Sequence, residues 1–224
     1  MLHIPRLLDA GRCRLVRDIL AEADWIDGRA TAGHLSHRVK DNSQLREGDP
    51  AAVAAGRLVL EALEANPLFI SAALPARIVP PLFNRYRQGQ TYGPHIDGAI
   101  RPVGDAGRVR TDLAATLFLA APEEYGGGEL CVRDASGEHG IKLPAGDMIL
   151  YPASSIHYVA PVTGGERIAA FFWIQSIVRD TIRRTMLHEL DEAIQAATAA
   201  LGEHDCLLAL TAHYHNLLRQ WADV

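Results

Sequence analysis

The chain has 224 residues, 48% apolar and 22% charged, with 22 Lys+Arg against 27 Asp+Glu for a net charge of −5. That composition excludes a disordered chain, and the length suits one ordinary domain with an appendage or two small ones. The mild acidity removes the basic excess on which binding to phosphate backbones usually rests, so no nucleic-acid partner is expected.

Three Cys form no CxxC pattern, which argues against a zinc ribbon or a disulfide framework and accords with a reducing cytoplasm. No run approaches the ~18 apolar residues of a membrane span, and the first residues lack a signal-peptide pattern. A cytoplasmic protein with no membrane partner is therefore expected. The ten His are the less ordinary feature.

In chain order, Asp9 caps a predicted helix through Ala23, with Leu15, Ile19 and Leu20 on one face. A polar stretch over residues 27–42 reads as loop. A second helix is predicted over residues 51–65, closed by Asn66 and Pro67. At Leu74 the period changes. From there to Val178, short β-like runs such as DLAATLFLA, GELCVRD and RIAAFFWIQSIV alternate with Gly/Pro turns, predicting an antiparallel sandwich or jelly roll. Past Ser176, Ile177, Ile182, Met186, Leu190, Ile194 and Ala197 form one helical apolar stripe. Leu207, Leu210, Tyr214, Leu217 and Trp221 form a second beyond Gly202. These two helices are expected to pack on the core or on a second subunit, as a homo-oligomer. The expected class is α+β: residues 1–73 as N-terminal helical support, 74–178 as a double-stranded β-helix (jelly-roll) core, and 179–224 as a C-terminal helical region.

Eight His (His3, His34, His37, His139, His188, His204, His213 and His215) fall in predicted loops or on polar helix faces, where a solvated ring is expected. His95 and His157 keep different company. In His95-Ile96-Asp97, strand positions i and i+2 point to one side, so an imidazole and a carboxylate project together. Alone, such a pair is more often chance than a metal site. His157 opens a later strand that a double-stranded β-helix lays beside the first. Two His and one carboxylate leave open positions on an octahedral metal, the pattern of non-haem Fe(II) oxygen chemistry, whereas structural zinc needs a closed fourth ligand. Arg167 heads the otherwise apolar strand RIAAFFWI. A buried cation there needs an anionic partner, and guanidinium matches a carboxylate with two parallel hydrogen bonds.

The segments RYRQGQTYGPHIDGAI, DLAATLFLAAPEEYGGGEL, LPAGDMILYPASSIHYVAPVTGGERIAAFFWIQSIVRD and LHELDEAI resemble bacterial PKHD-type hydroxylases. These are Fe(II)/2-oxoglutarate-dependent dioxygenases of the prolyl 4-hydroxylase-like superfamily, often associated with iron uptake. The resemblance runs over most of the chain. It implies Fe(2+) held by His95, Asp97 and His157, and 2-oxoglutarate as cosubstrate with Arg167 on its carboxylate and Tyr86 in reach. It also implies O2-dependent hydroxylation of a peptidyl prolyl or small-molecule substrate, with release of succinate and CO2, and L-ascorbate to restore oxidised iron. No catalytic residue beyond the metal ligands is expected. Tyr86 reads equally as a half-buried strand tyrosine and Tyr92 reads better as one, while Asn84, on the same side as Tyr86 by period two, is a weaker candidate.

Residues 98–110 (GAIRPVGDAGRVR), with Arg101, Arg108 and Arg110, form a candidate lid over an anionic or peptide substrate. Residues 27–42, with Lys40 and Asn42, are a second. Two rivals make distinct demands. A nucleic-acid demethylase of the same iron class would carry another Arg six positions after Arg167, where Trp173 stands. The other rival is a non-enzymatic cupin-like metal or 2-oxoglutarate sensor; a module that only binds metal needs no carboxylate anchor, so Arg167 discriminates against it.

Overall fold

The computed structural model describes residues 1–31, 38–104 and 107–223. Its larger sheet runs β1 (Leu2–Ile4), β14 (Met148–Pro152), β10 (Leu113–Phe118), β16 (Val162–Ser176), β6 (Leu82–Arg87), β4 (Ser43–Gln44), β2 (Ile26–Asp27). The short strands β5 (Pro75–Ile78) and β11 (Tyr125–Gly127) also pair with β16. The smaller sheet runs β13 (Gly137–Ile141), β12 (Leu130–Asp134), β15 (His157–Val159), β7 (Thr91–His95), β3 (Lys40–Asp41). A separate hairpin joins β8 (Ile100–Pro102) to β9 (Arg108–Arg110). Every pairing among the described residues is antiparallel.

Alternation along the central strands produces two cores. Leu113, Ala115 and Leu117 of β10, with Ala170, Phe172 and Ile174 of β16, face helices; Ala114, Phe118 and Trp173 face the smaller sheet with Leu130, Val132 and Val159. Period-two side chains need a cover on both sides when both sets are apolar. The helical cover comes from α1 (Ala10–Ala21), α2 (Pro50–Glu64) and α3 (Pro67–Ala73), which bury Val16, Leu20, Val59, Leu63 and Phe69 in that core. Burying one such side chain contributes ~1.5–3 kcal/mol.

Two expectations are corrected here, and a third is extended. On α1 the buried face is Cys13, Val16 and Leu20, and Leu15 is 48% exposed. Asn66 and Pro67 close α2 as expected, its last helical residue being Glu64, and they at once open a further short helix. The Asn66 side chain accepts the Phe69 N–H and Pro67 opens α3, where its missing N–H has no intrahelical partner to lose. Residues 27–42 are not simply loop, since they contain β2 and β3; positions 32–37, with His34 and His37, lie outside the described residues.

The C-terminal region forms α4 (Thr181–Leu201) and α5 (Asp205–Trp221), separated at Gly202 as the pattern indicated. Its buried face is rotated from the expected one: Arg184 and Leu187 are buried, while Ile182 is 72% and Met186 50% exposed. Polar contacts select this face. Arg184 donates to the Val178 carbonyl oxygen at 2.9 Å, and Ser71 on α3 donates to Asp191 Oδ2 at 2.6 Å while lying 3.0 Å from His188 Nδ1. His188 is thus a partly buried interhelical partner and not a solvated ring. Leu187 then meets Leu74 and Val178, with Tyr214, Leu217 and Trp221 beside them. Among the described residues no helix is long and apolar enough to cross a membrane.

The turn before β14 brings two backbone segments into close approach. Gly146 has φ +94°, and a Cβ there would stand 2.2 Å from the Leu8 carbonyl oxygen. Gly146→Ala is expected to lower stability by about 2 kcal/mol or more. Gly89→Ala, at φ +86° with nothing within 4 Å, should cost clearly less. Urea midpoints of the two variants check this, and equal midpoints would refute the clash.

Candidate functional site

Backbone pairing assembles the metal-type cluster. β15 pairs with β7 so that His157 stands opposite His95, and the two ring centroids lie 4.2 Å apart. Asp97 is not on the strand as its spacing implied, because β7 ends at His95. The following loop nevertheless brings Asp97 Oδ2 to 3.8 Å from His157 Nε2. One ligand atom from each of the three residues lies within 4.8 Å of the others, an N,N,O set that a single divalent cation can bridge.

Both imidazoles are preset for that task. His95 Nδ1 lies 2.9 Å from the Gly93 carbonyl oxygen and His157 Nδ1 3.0 Å from that of Ser155. A carbonyl only accepts, so each Nδ1 donates and each Nε2 keeps its lone pair for a metal. Tyr92 stacks on His95 with centroids 3.7 Å apart, and the Tyr151 ring meets His157 edge-on at 5.2 Å. Burial, then the neighbouring His157, pushes His95 down to about 3, so this ring is neutral across the physiological range. Burial also raises the Asp97 carboxyl, against the pull of His157, a hydrogen bond from Trp173 and the charge of Arg101. A bound cation would relieve the desolvated carboxylate without competing with a proton on His95.

Arg167 closes the other end of the same cavity. In register it pairs with Tyr86 across β16 and β6, and it is only 1% exposed. Its guanidinium carbon sits 5.4 Å from the Tyr86 ring centroid and 5.3 Å from that of Phe118. Nε and Nη1 have no hydrogen-bond partner, and neither does Oδ1 of the buried Asn84. A buried guanidinium with open donors is unfavourable by several kcal/mol unless an anion joins it. The Tyr86 hydroxyl, pushed up to about 12 by burial against the pull of Arg167, remains a neutral donor. A cavity of about 150 Å³ connects Arg167 and Tyr86 to His95, Asp97 and His157.

Lys40, Asn42 and Gln44 also line this cavity, on the segment that crosses from β3 in the smaller sheet to β4 in the larger. All three are buried. Their polar character hid a period-two pattern, K-x-N-x-Q, which is the available signal for an inward-facing strand. Lys40 Nζ donates to Gln44 Oε1 at 2.8 Å and lies 5.3 Å from the Tyr92 ring centroid. Burial, then the charge of Arg101, pushes Lys40 down to about 8.

The three arginines of residues 98–110 separate. Arg101 lines the cavity, with its guanidinium 4.4 Å from the Trp173 ring centroid and an ion pair to Glu47. Arg108 is exposed. Arg110 is held by both carboxylate oxygens of Asp112, at 2.7 and 2.9 Å, and donates to the Ser176 carbonyl oxygen at 3.1 Å, so it braces β9 against the end of β16. Positions 105–106 lie outside the described residues.

Residues 81–175 match the family model of the 2OG-Fe(II) oxygenase superfamily, and residues 182–223 match the PKHD-type hydroxylase C-terminal domain. A PKHD-type hydroxylase of Burkholderia lata is 56% identical over 100% of this chain and 99% of its own length. Its counterpart in Burkholderia thailandensis is 58% identical over the same shares. Among solved structures, a Pseudomonas putida prolyl-4-hydroxylase superposes with a TM-score of 0.51 at 23% identity, covering 78% of this chain and 91% of that one. A prolyl hydroxylase from Trichoplax adhaerens, solved in complex with a hypoxia inducible factor oxygen degradation domain peptide fragment, superposes with a TM-score of 0.59 at 16% identity, covering 77% and 82%. Those two likenesses show a shared fold. With more than half its residues identical along the whole length of the Burkholderia relatives, the chain belongs to the PKHD-type hydroxylases and is an enzyme of the 2OG-Fe(II) oxygenase superfamily.

Proposed function

We propose that this protein is an Fe(II)- and 2-oxoglutarate-dependent hydroxylase whose iron ligands are His95, Asp97 and His157. Arg167, with Tyr86, binds the distal carboxylate of the cosubstrate. The observation that carries this reading is the buried Arg167, with two donor nitrogens lacking partners, at one end of a cavity whose other end holds the His-Asp-His cluster. An anion that meets Arg167 and reaches the cluster is a dicarboxylate in its demands.

When bound, iron and 2-oxoglutarate supply O2 activation and hydroxyl transfer, with succinate and CO2 as co-products and L-ascorbate as the restoring reductant. The chain's own residues do the positioning. His95 and His157 present Nε2 lone pairs fixed by their Nδ1 donations, and Asp97 supplies a carboxylate oxygen. Arg167 sets the depth of the cosubstrate through two charge-assisted hydrogen bonds. Phe118, Phe171 and Trp173 keep the surroundings apolar, which strengthens each of those contacts.

The two facing sheets are read as a double-stranded β-helix over residues 74–178, with 1–73 as helical support and 179–224 appended. A peptidyl prolyl or a small molecule is the proposed substrate, in a route linked to iron uptake. The three free thiols support a cytoplasmic setting.

Arg167→Ala is expected to weaken 2-oxoglutarate binding by roughly 30- to 1000-fold, the equivalent of about 2–4 kcal/mol for truncating a buried charge pair. Mn(II) binding should be retained, and calorimetric titration of each ligand measures both. Unchanged 2-oxoglutarate affinity would overturn the assignment of Arg167. The metal ligands have a separate check. Mn(II) at 100 times its Kd should stabilise the parent by about 2.7 kcal/mol. Asp97→Ala and His157→Ala should abolish both that gain and succinate release. A full thermal shift in either variant would remove the residue from the ligand set.

A further inference from the structure

The charges lining the cavity are unequal. Among the described residues, Lys40, Arg101 and Arg167 face it as cations and Asp97 as its carboxylate. On the functional reading above, Fe(II) and a 2-oxoglutarate dianion add equal and opposite charges, so the positive excess persists in the loaded site. It is also localised. Arg167 lies at the deep end between Tyr86 and Phe118. Lys40 and Arg101 lie at the other end, Lys40 against the Tyr92 ring and Arg101 over Trp173. They are near enough that the charge of Arg101 disfavours that of Lys40.

Glu47 pairs with Arg101 from the wall of a neighbouring groove, and Lys40 donates to the amide oxygen of Gln44 while the charge of Asp27 also acts on it. Two cations held together beside a desolvated carboxylate, one of them 5% exposed, form an arrangement that an incoming oxyanion relieves.

A second hollow indicates what that anion is attached to. Arg101 and Leu82 line both the metal cavity and a groove of about 660 Å³ along α2, whose walls include Val53, Leu60, Val79 and Val103. A ligand with its anionic group between Lys40 and Arg101 has an apolar groove directly beyond.

We infer that Lys40 and Arg101 form the primary-substrate subsite, and that it takes the carboxylate of an acid whose apolar body lies in the groove along α2. The inference rests on the hydroxylase reading and names the substrate class for that same site.

The test uses the full chain loaded with Mn(II) and saturating 2-oxoglutarate, with 3-phenylpropionate and its primary amide as probes. Proton relaxation by Mn(II) reports their approach to the metal. The acid should be relaxed saturably and the amide bound at least tenfold more weakly. Lys40→Met and Arg101→Gln should each weaken the acid at least fivefold, and Lys40→Arg should recover most of the loss. Equal binding of acid and amide, no acid binding, unchanged acid binding in both loss variants, or displacement of the acid by added 2-oxoglutarate would each overturn the inference. Circular dichroism checks folding, and Arg101→Gln, on a partly exposed residue, decides the matter if Lys40→Met does not fold. A parent that fails to bind 2-oxoglutarate at all refutes the hydroxylase reading instead. The acid-to-amide comparison on the Mn(II) protein then judges the cationic subsite by itself.

Discussion

The antiparallel register of β15 against β7 governs the rest of the molecule. It sets His157 opposite His95, and a slip of one residue would send one imidazole to the outer face of the sheet. A three-residue strand does not hold such a register by its own hydrogen bonds. Its neighbours do. β15 lies between β12 and β7, with Val132 opposite His157 and Leu130 opposite Val159. Leu130, Val132 and Val159 are buried in the inter-sheet core, and Thr91 donates to the Val159 carbonyl oxygen at 2.7 Å. Apolar burial thereby places two polar rings, and the carbonyls of Gly93 and Ser155 then choose which nitrogen each ring offers.

Arg167 imposes the opposite kind of constraint. It stands on a strand whose other inward residues, Ala169, Phe171 and Trp173, would make an ordinary apolar core. A guanidinium there lowers the stability of the empty protein and raises its affinity for an anion by the same physics. The outward residues of β16 offset that loss, because Ala170, Phe172 and Ile174 seal against three helices. One strand thus serves stability on one face and lines the cavity with the other, which is where local consistency is expected to break in an enzyme.

Much of this was legible in the residues themselves. Asp9 as a cap, the closure of α2 at Asn66 and Pro67, the period change at Leu74 and the breaks at Gly and Pro follow from local chemistry, as does the place of Arg167 at the head of a buried strand. Several misses share one cause, that burial does not follow from apolarity alone. Leu15, Ile182 and Met186 are apolar yet exposed, because Cys13 on α1 and Arg184 on α4 face the core. Lys40, Asn42 and Gln44 are polar yet buried, so a strand that alternates correctly read as loop. Asp97 reached the metal-type cluster through a loop closure that strand periodicity does not encode. Arg110 read as a lid cation, and only the fold shows Asp112 and the Ser176 carbonyl already engaging it.

The buried polar segment also explains why the two ends of the cavity act together. Lys40 and Gln44 are joined by a hydrogen bond, yet Lys40 pairs with Tyr92 in the smaller sheet and Gln44 with Asn84 in the larger. Tyr92 in turn stacks on His95, while Asn84 lies opposite Ala169, two residues from Arg167. A short chain of contacts therefore runs from one metal-type ligand through Tyr92, Lys40, Gln44 and Asn84 to the strand that carries Arg167. Displacing Lys40 would disturb the ring packed on His95 and the amide pair Gln44–Asn84 on the Arg167 side of the cavity at once. The crossing between the sheets is short, buried and polar because it must close their open edge and hold that geometry together. An apolar strap of the same length would close the edge equally well, but it would leave the cavity without donors on that side.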